Sequence, residues 1–289
     1  MKKFGASLIW FAFSASASHA VGAELPRRIV SLSPNMTEIL YGIGAFDRVV
    51  GVSDYCTYPP EVSKLPSVGG WNTPSLEKLT AMRPDLVVVD AAEAAFIADK
   101  VRELGLTLLV VPNQTIAEVY QGMELLGRAT GHEAGAQKLA AQTRDGLSKV
   151  ARQVASFPKP TVVMIVNRTP GTLQDLYMAT RGGYLAELIE IAGGKNIAPD
   201  NPDGYAKLSK EDLLALNPAV IVDFIHGPKT GFKYRMELDP LAAWREMPEL
   251  QAVRMKRVHG ADEDYVPHAS QRIVQTAELF AHLLHPELR

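Results

Sequence analysis

Between residues 133 and 156 apolar side chains recur at Ala136, Leu139, Ala140, Leu147, Val150, Ala151 and Val154, with polar and charged residues between them. A stripe with a period of about 3.6 residues, kept up for about six turns, predicts one long helix. Phe157, Pro158, Lys159 and Pro160 end it, because proline removes a backbone donor and clashes with the preceding turn. On both sides the pattern changes to short apolar runs separated by helical periods. Upstream, the runs 28–33, 49–52, 85–89 and 107–111 predict strands, and helices are expected from Pro34 to near Gly44 and over 75–82, 92–104 and 115–129. Downstream, strands are expected at 161–166, 219–224 and near 257–259, with helices over 183–191, 209–216 and 268–284. The stretches 53–74, 168–181, 196–207, 226–238 and 260–267 read as irregular. Strands alternating with helices predict parallel sheets with helices on their faces. The fold expected is therefore α/β, with two Rossmann-like lobes (24–132 and 158–289) joined by a single long helix (133–157). A surface helix of one larger domain is the plainer alternative.

An internal repeat favours the two-lobed plan. Ser75-Leu-Glu-Lys-Leu-Thr-Ala-Met-Arg-Pro84 aligns with Ser209-Lys-Glu-Asp-Leu-Leu-Ala-Leu-Asn-Pro218 at a constant offset of 134, and an apolar run follows each. The serine can cap a helix, and the proline forces the chain out of it toward a strand. Two lobes on one plan imply a cleft, a favoured place for a ligand.

The amino terminus has a separate role. Lys2 and Lys3, the apolar run from Leu8 to Phe13, and Ser18-His19-Ala20 match a secretory leader over 1–20. The run is short against a bilayer core of roughly 30 Å. Without the leader the chain keeps 28 basic and 32 acidic side chains, a formal charge of −4, which offers no electrostatic case for nucleic acid. Cys56 is the sole cysteine, so no internal disulfide forms, and none stands at the cleavage point to carry a lipid.

Common catalytic signatures are missing: the chain has no Gly-x-Ser-x-Gly elbow, phosphate-binding loop, His-Glu-x-x-His or Cys-x-x-Cys. The irregular segments carry the candidate ligand-binding side chains instead: Tyr55, Trp71, Asp90, Arg168, Tyr205, His226, Asp264, Tyr265 and His268. In open α/β sheets ligands sit beyond the carboxyl ends of the strands, and aromatics there suit a large planar ligand. Each aromatic can equally pack its own loop. His259, Asp262, Asp264 and His268 invite a metal reading, either a bare ion or His268 as axial ligand to a metal inside a macrocycle, although their spacing matches no closed site. Glu77 and Glu211 occupy equivalent repeat positions. Each favours the first turn of a helix, or the two together face a symmetric partner bearing arginines.

The segments Ile29-Val-Ser-Leu-Ser-Pro-Asn-Met-Thr-Glu38, Gly51-Val-Ser-Asp-Tyr-Cys-Thr-Tyr-Pro-Pro60, Val68-Gly-Gly-Trp71, Ala192-Gly-Gly-Lys-Asn-Ile197 and Leu208-Ser-Lys-Glu211 resemble the periplasmic substrate-binding proteins of ABC importers for cobalamin, haem and ferric siderophores. The likeness covers essentially all of the chain beyond the leader and is strongest to the cobalamin-binding members. It implies two α/β lobes bridged by one helix, a periplasmic monomer without resident cofactor or covalent chemistry, and an inner-membrane permease as partner. It places Tyr55, Trp71, Tyr205 and Asp264 at corrinoid-pocket positions, and Glu77 and Glu211 at permease-docking positions. Asp90 stands where those members have a tryptophan and His268 where they have an arginine, so haem or a ferric siderophore remains an alternative ligand. A secreted α/β metal-dependent enzyme is the alternative of another class. The single helix implies small lobe closure rather than a wide hinge swing.

Overall fold

The computed structural model describes residues 24–70, 72–226, 239 and 241–288. The expected leader, Trp71 and nearly all of 226–238 lie outside the described residues.

The first sheet is formed by β1 (Ile29–Ser31), β2 (Val49–Val52), β3 (Leu86–Asp90) and β4 (Leu108–Val111), all parallel, in the order β2-β1-β3-β4. Helices α1 (Pro34–Gly42), α2 (Leu76–Ala81), α3 (Ala91–Glu103) and α4 (Ile116–Thr130) alternate with its strands. Then comes α5 (Glu133–Val154). The second sheet contains β5 (Thr161–Asn167), β6 (Tyr177–Ala179), β7 (Lys195–Asn196), β8 (Tyr205–Lys207), β9 (Val220–Phe224) and β10 (Val258–Ala261). Its order is β10-β9-β5-β6-β8, with β7 beside β5. Its helices are α6 (Tyr184–Ile191), α7 (Lys210–Leu216), α8 (Gln251–Arg254) and α9 (Ile273–Leu284).

Strand side chains alternate between faces, and each sheet divides its apolar residues accordingly. Ile29, Leu86 and Val88 face one cluster, while Val30, Val87 and Val89 face another. Val162, Met164 and Val222 are separated from Val163, Ile165 and Ile221 in the same way. The inner cluster is continuous through both lobes, because α5 contributes Ala136, Leu139, Leu147 and Val150 to it. At about 1.5 Å per residue α5 is about 33 Å long. Glycine in a helix is unfavourable by roughly 0.5–1 kcal/mol relative to alanine. Both glycines of α5 sit where a neighbouring helix comes too close for a methyl group. One at Gly135 would collide with the Ile43 carbonyl just after α1, and one at Gly146 would lie 2.8 Å from Val274 of α9.

The sequence repeat is also a backbone repeat. Ser75 and Ser209 cap α2 and α7, accepting from the N–H groups of Lys78 and Asp212. Both helices end on left-handed residues, Arg83 at φ 45° and Asn217 at φ 42°, just before Pro84 and Pro218. β3 and β9 then start 134 residues apart and run for five residues each.

Two expectations change. The second sheet is mixed, since β6 runs antiparallel to β5 and to β8 inside stretches that read as irregular. β1 is as short but lies in an apolar run, whereas β6 (Tyr-Met-Ala) and β8 (Tyr-Ala-Lys) carry no such run and so leave no strand signal. The last helix begins at Ile273, not at residue 268. His268, Ser270 and Arg272 instead turn their side chains to Glu38 of α1, and that tertiary pull outweighs the helical pattern.

Candidate functional site

The parallel strands of both sheets end toward the space between the lobes, so the residues just beyond β3, β4, β5 and β9 line it. Two adjoining cavities open here, the first walled by the second lobe alone and the second by both lobes. One of ≈ 400 Å³ is bordered by Met164, Val166, Tyr177, Leu185, Phe224, His226 and Val266, and one of ≈ 660 Å³ by Asp90, Glu93, Phe96, Asn113, Gln114, Glu118 and Asp203. Tyr184, Tyr205 and Pro267 border both. One wall is therefore aromatic and aliphatic, and the other is acidic and amide-bearing.

Among the described residues, hydrogen bonds join the lobes at two places. On one side the Tyr184 N–H donates to the Gln114 carbonyl (2.7 Å) and the Ile116 N–H to Glu187 Oε2 (2.8 Å). The Gln114 amide also donates to the carbonyls of Gly182 and Pro202. On the other side Glu38, almost fully buried, accepts from Ser270 Oγ and from Arg272 Nη1 (3.0 Å), and meets His268 Nδ1 at 2.8 Å. Arg272 also holds Asp264 (2.8 Å) and lies over the rings of Tyr58 (4.6 Å) and Tyr265 (5.1 Å).

Asp90 and Glu93 form a buried acid pair at the start of α3. Asp90 caps that helix, its carboxylate accepting from the Glu93 N–H (2.8 Å), from Asn35 Nδ2 (3.3 Å) and from Asn113 Nδ2 (3.2 Å). Ser33 Oγ accepts from the Asp90 N–H (2.9 Å) and donates to Glu93. Burial pushes the Asp90 carboxyl up against these hydrogen bonds. Burial, and then the charge of Asp90, push Glu93 from 4.5 to about 8. The pair accordingly keeps a proton at neutral pH, leaving one ionised carboxylate beside one O–H donor. A carboxyl whose folded-state pKa is raised stabilises the fold below its ordinary pKa, and that stabilisation fades as pH rises toward about 8. Glu93→Gln should therefore gain on the native chain by up to about 1.4 kcal/mol per pH unit over that window and level off above it. Denaturant titrations at pH 5, 6.5, 8 and 9 measure this difference. A constant difference across the series would show that Glu93 is not the titrating group.

Of the residues singled out in the sequence, Asp90, Tyr205 and His226 meet on the cavity walls. The His226 ring stands edge-on to Phe224 (4.7 Å), with Nε2 3.2 Å from the Val166 carbonyl. Burial, then the nearby Arg168 charge, lower its pKa despite that contact, so the imidazole is neutral at pH 7. Tyr55 is half-buried near Gly70, away from both cavity linings. Arg168 is buried behind the cleft, bonded to Asp223 (3.0 Å), which also accepts from the Trp244 indole (2.8 Å). Asp264, Tyr265 and His268 gather at the Glu38 junction rather than on the walls. Burial alone would raise the Asp264 pKa, but the hydrogen bonds and charge of Arg272, with His268 and Thr57, outweigh it and hold the pKa low. No three His, Cys, Asp or Glu side chains converge as a metal cluster among the described residues. Glu77 and Glu211 are exposed in the first turns of α2 and α7. Cys56 is buried against Thr37 and Ser53, and burial pushes its thiol up to about 11, which suits a packing role.

Sequence reasoning missed Tyr184, Glu93 and Gln114 on the cavity walls, and Glu38 with Arg272 at the junction. Tyr184 and Glu93 lie in helical first turns and read as ordinary helix residues. Glu38 carried a signal, being the one acidic residue in the stretch from Ile29 to Leu40.

The profile of the family described as Periplasmic binding protein matches residues 29–265. An ABC transporter substrate-binding lipoprotein of Bacillus subtilis, YvrC, is 31% identical over 91% of this chain and 81% of its own length. The vitamin B12-binding protein of Vibrio cholerae is 29% identical over 87% of this chain and 86% of its own. The crystal structure of the Vibrio cholerae protein, BtuF, superposes with a TM-score of 0.72 at 28% identity, over 90% of this chain and 96% of that one. A periplasmic haem-binding protein from Pseudomonas aeruginosa shares the fold, with a TM-score of 0.77 at 22% identity over 92% of this chain and 95% of that one. With its two α/β lobes about a central helix and a match from Ile29 to Tyr265, this chain belongs to the periplasmic binding protein family.

Proposed function

We propose that this protein is the exported receptor of an ABC importer, holding a large planar metal chelate, foremost a corrinoid, between its lobes and handing it to an inner-membrane permease. The observation that carries this reading is the pair of adjoining cavities, where the rings of Tyr177, Tyr184, Tyr205 and Phe224 meet the polar side chains at the ends of β3 and β4. Flat apolar faces with polar edges suit a macrocycle fringed by polar groups. The lobe division 24–132, 133–157 and 158–289, the periplasmic location and the monomeric state belong to the same reading. The resemblance to vitamin B12-binding relatives supports the corrinoid assignment.

Haem is the second reading, and His226 favours it. A neutral imidazole on the apolar wall is a possible axial ligand, and it takes the place the sequence suggested for His268. Calorimetric titration of the purified chain with cyanocobalamin and with haemin tests both. Stoichiometric binding of cyanocobalamin alone is expected. Binding of haemin alone would replace the corrinoid reading and direct attention to His226.

A further inference from the structure

The acidic residues of the larger cavity carry an inference about ligand charge, which rests on the reading of the cleft as the ligand site. Asp90, Glu93, Glu118 and Asp203 border that cavity, and among the described residues no lysine or arginine lines either cavity. The amino end of α3 opens into the same space, through Asp90, Ala91, Ala92 and Glu93. Such an end, with its orphan N–H groups, is ordinarily where an anion binds. Here the Asp90 carboxylate already occupies it, accepting from the Glu93 N–H. The amide nitrogens of Asn35 and Asn113 also point at Asp90 and so are not offered to a ligand anion. Neighbouring basic groups are engaged elsewhere: Arg168 with Asp223, and Arg272 with Glu38 and Asp264.

We infer that the cleft selects by peripheral charge: it takes planar chelates fringed with amide or other uncharged hydrogen-bond donors and rejects those fringed with carboxylates. An amide N–H brought to this wall meets an acceptor, whereas a carboxylate meets fixed negative charge in a partly desolvated space, where like charges repel more strongly than in water. The acid pair supports the same selection, because its retained proton still leaves one ionised carboxylate in place.

The test uses two ring systems, each with two peripheries. Dicyanocobinamide is paired with dicyanocobyrinic acid: both have the corrin ring, cobalt and two cyanides and lack the nucleotide loop, and the second carries carboxylates in place of the amides. Haemin is paired with its diamide, in which both propionates are converted to amides. Each is titrated calorimetrically into the full mature chain and into Asp90→Asn/Glu93→Gln, whose amides preserve shape and whose asparagine can still cap α3. Thermal melting checks that the variant is folded. The amide member of whichever ring binds should be favoured by ~10-fold or more, and the variant should lower that ratio by ~10-fold, as expected for loss of a like-charge contact of about 1.4 kcal/mol. A carboxylate member that binds equally well or better, or a ratio the variant leaves unchanged, would overturn the charge selection. If only haem compounds bind, with the diamide preferred, the corrinoid reading falls and the charge selection stands. If dicyanocobinamide and dicyanocobyrinic acid bind alike, the corrinoid reading stands and the charge selection falls. No binding of any of the four would overturn both.

Discussion

Replacing Glu38 by alanine is expected to destabilise the protein by ~3–5 kcal/mol, the range for removing one partner from a buried ion pair. The size follows from what the carboxylate holds. Glu38 lies on α1 in the first lobe, yet its partners His268, Ser270 and Arg272 all follow β10 in the second. Its side chain is 1% exposed, and those of His268 and Arg272 are 11% and 12% exposed, so water cannot replace the lost contacts cheaply. Arg272 would keep Asp264 but lose its most buried anion. Glu38→Gln, which retains an acceptor but not the charge, should fall between the alanine variant and the native chain. Denaturant unfolding of the three proteins at one pH measures this. A loss below about 1 kcal/mol for the alanine variant would mean that this junction relaxes and that α5 with the Gln114–Tyr184 junction sets the lobe arrangement. The same comparison bears on closure, because both lobe contacts flank the cleft and either would have to yield for a wide swing.

The sequence made the fold legible wherever the hydrophobic pattern is long or repeated. α5 shows because a stripe persists through 22 residues, and the second lobe shows because Ser209 to Pro218 restates Ser75 to Pro84. Even the left-handed residues at Arg83 and Asn217 stand at the repeat offset, each just before the proline that keeps the helix from continuing. β6 and β8 left no trace because Tyr-Met-Ala and Tyr-Ala-Lys lack the apolar run that marks the equally short β1, and they are held by their sheet neighbours instead. The cleft was legible in part. Asp90, Tyr205 and His226 lie at strand ends or loops, where α/β sheets present ligand contacts, and they do line the cavities. Tyr184 and Glu93 share those walls but are written as helix residues, each placed by the first turn of its helix opening into the cavity. Arg168 shows the opposite failure. Its position after β5 suggested a ligand contact, but the buried Asp223 and the Trp244 indole draw it behind the wall, and no local pattern encodes a partner 55 residues away.

Reversing both repeat glutamates, Glu77→Arg with Glu211→Arg, is expected to abolish ligand uptake while leaving ligand affinity unchanged. Both side chains are exposed, both are second in their helices, and neither forms a salt bridge among the described residues. A surface hollow of ≈ 570 Å³ bordered by Leu76, Glu77, Thr80, Ala81, Arg83 and Leu104 lies beside the first of them, with room for an inserted side chain. Hydrogen bonds to charged groups contribute about 1.5–3 kcal/mol each, so losing two to a partner's arginines weakens docking on the order of a hundred- to ten-thousand-fold before the new repulsion is counted. The alternative is that each glutamate only complements its helix dipole, which is worth about 0.3–1 kcal/mol of stability per site. The double glutamine variant separates the two. A dipole role predicts a small stability loss with uptake intact, whereas a docking role predicts uptake loss in the glutamine pair and complete loss in the arginine pair. Transport assays in cells carrying the cognate permease, run beside calorimetry on the purified variants, read both quantities. Single reversals should each give an intermediate defect, because the repeat places one carboxylate on each lobe and docking by one lobe leaves half of the contact in place.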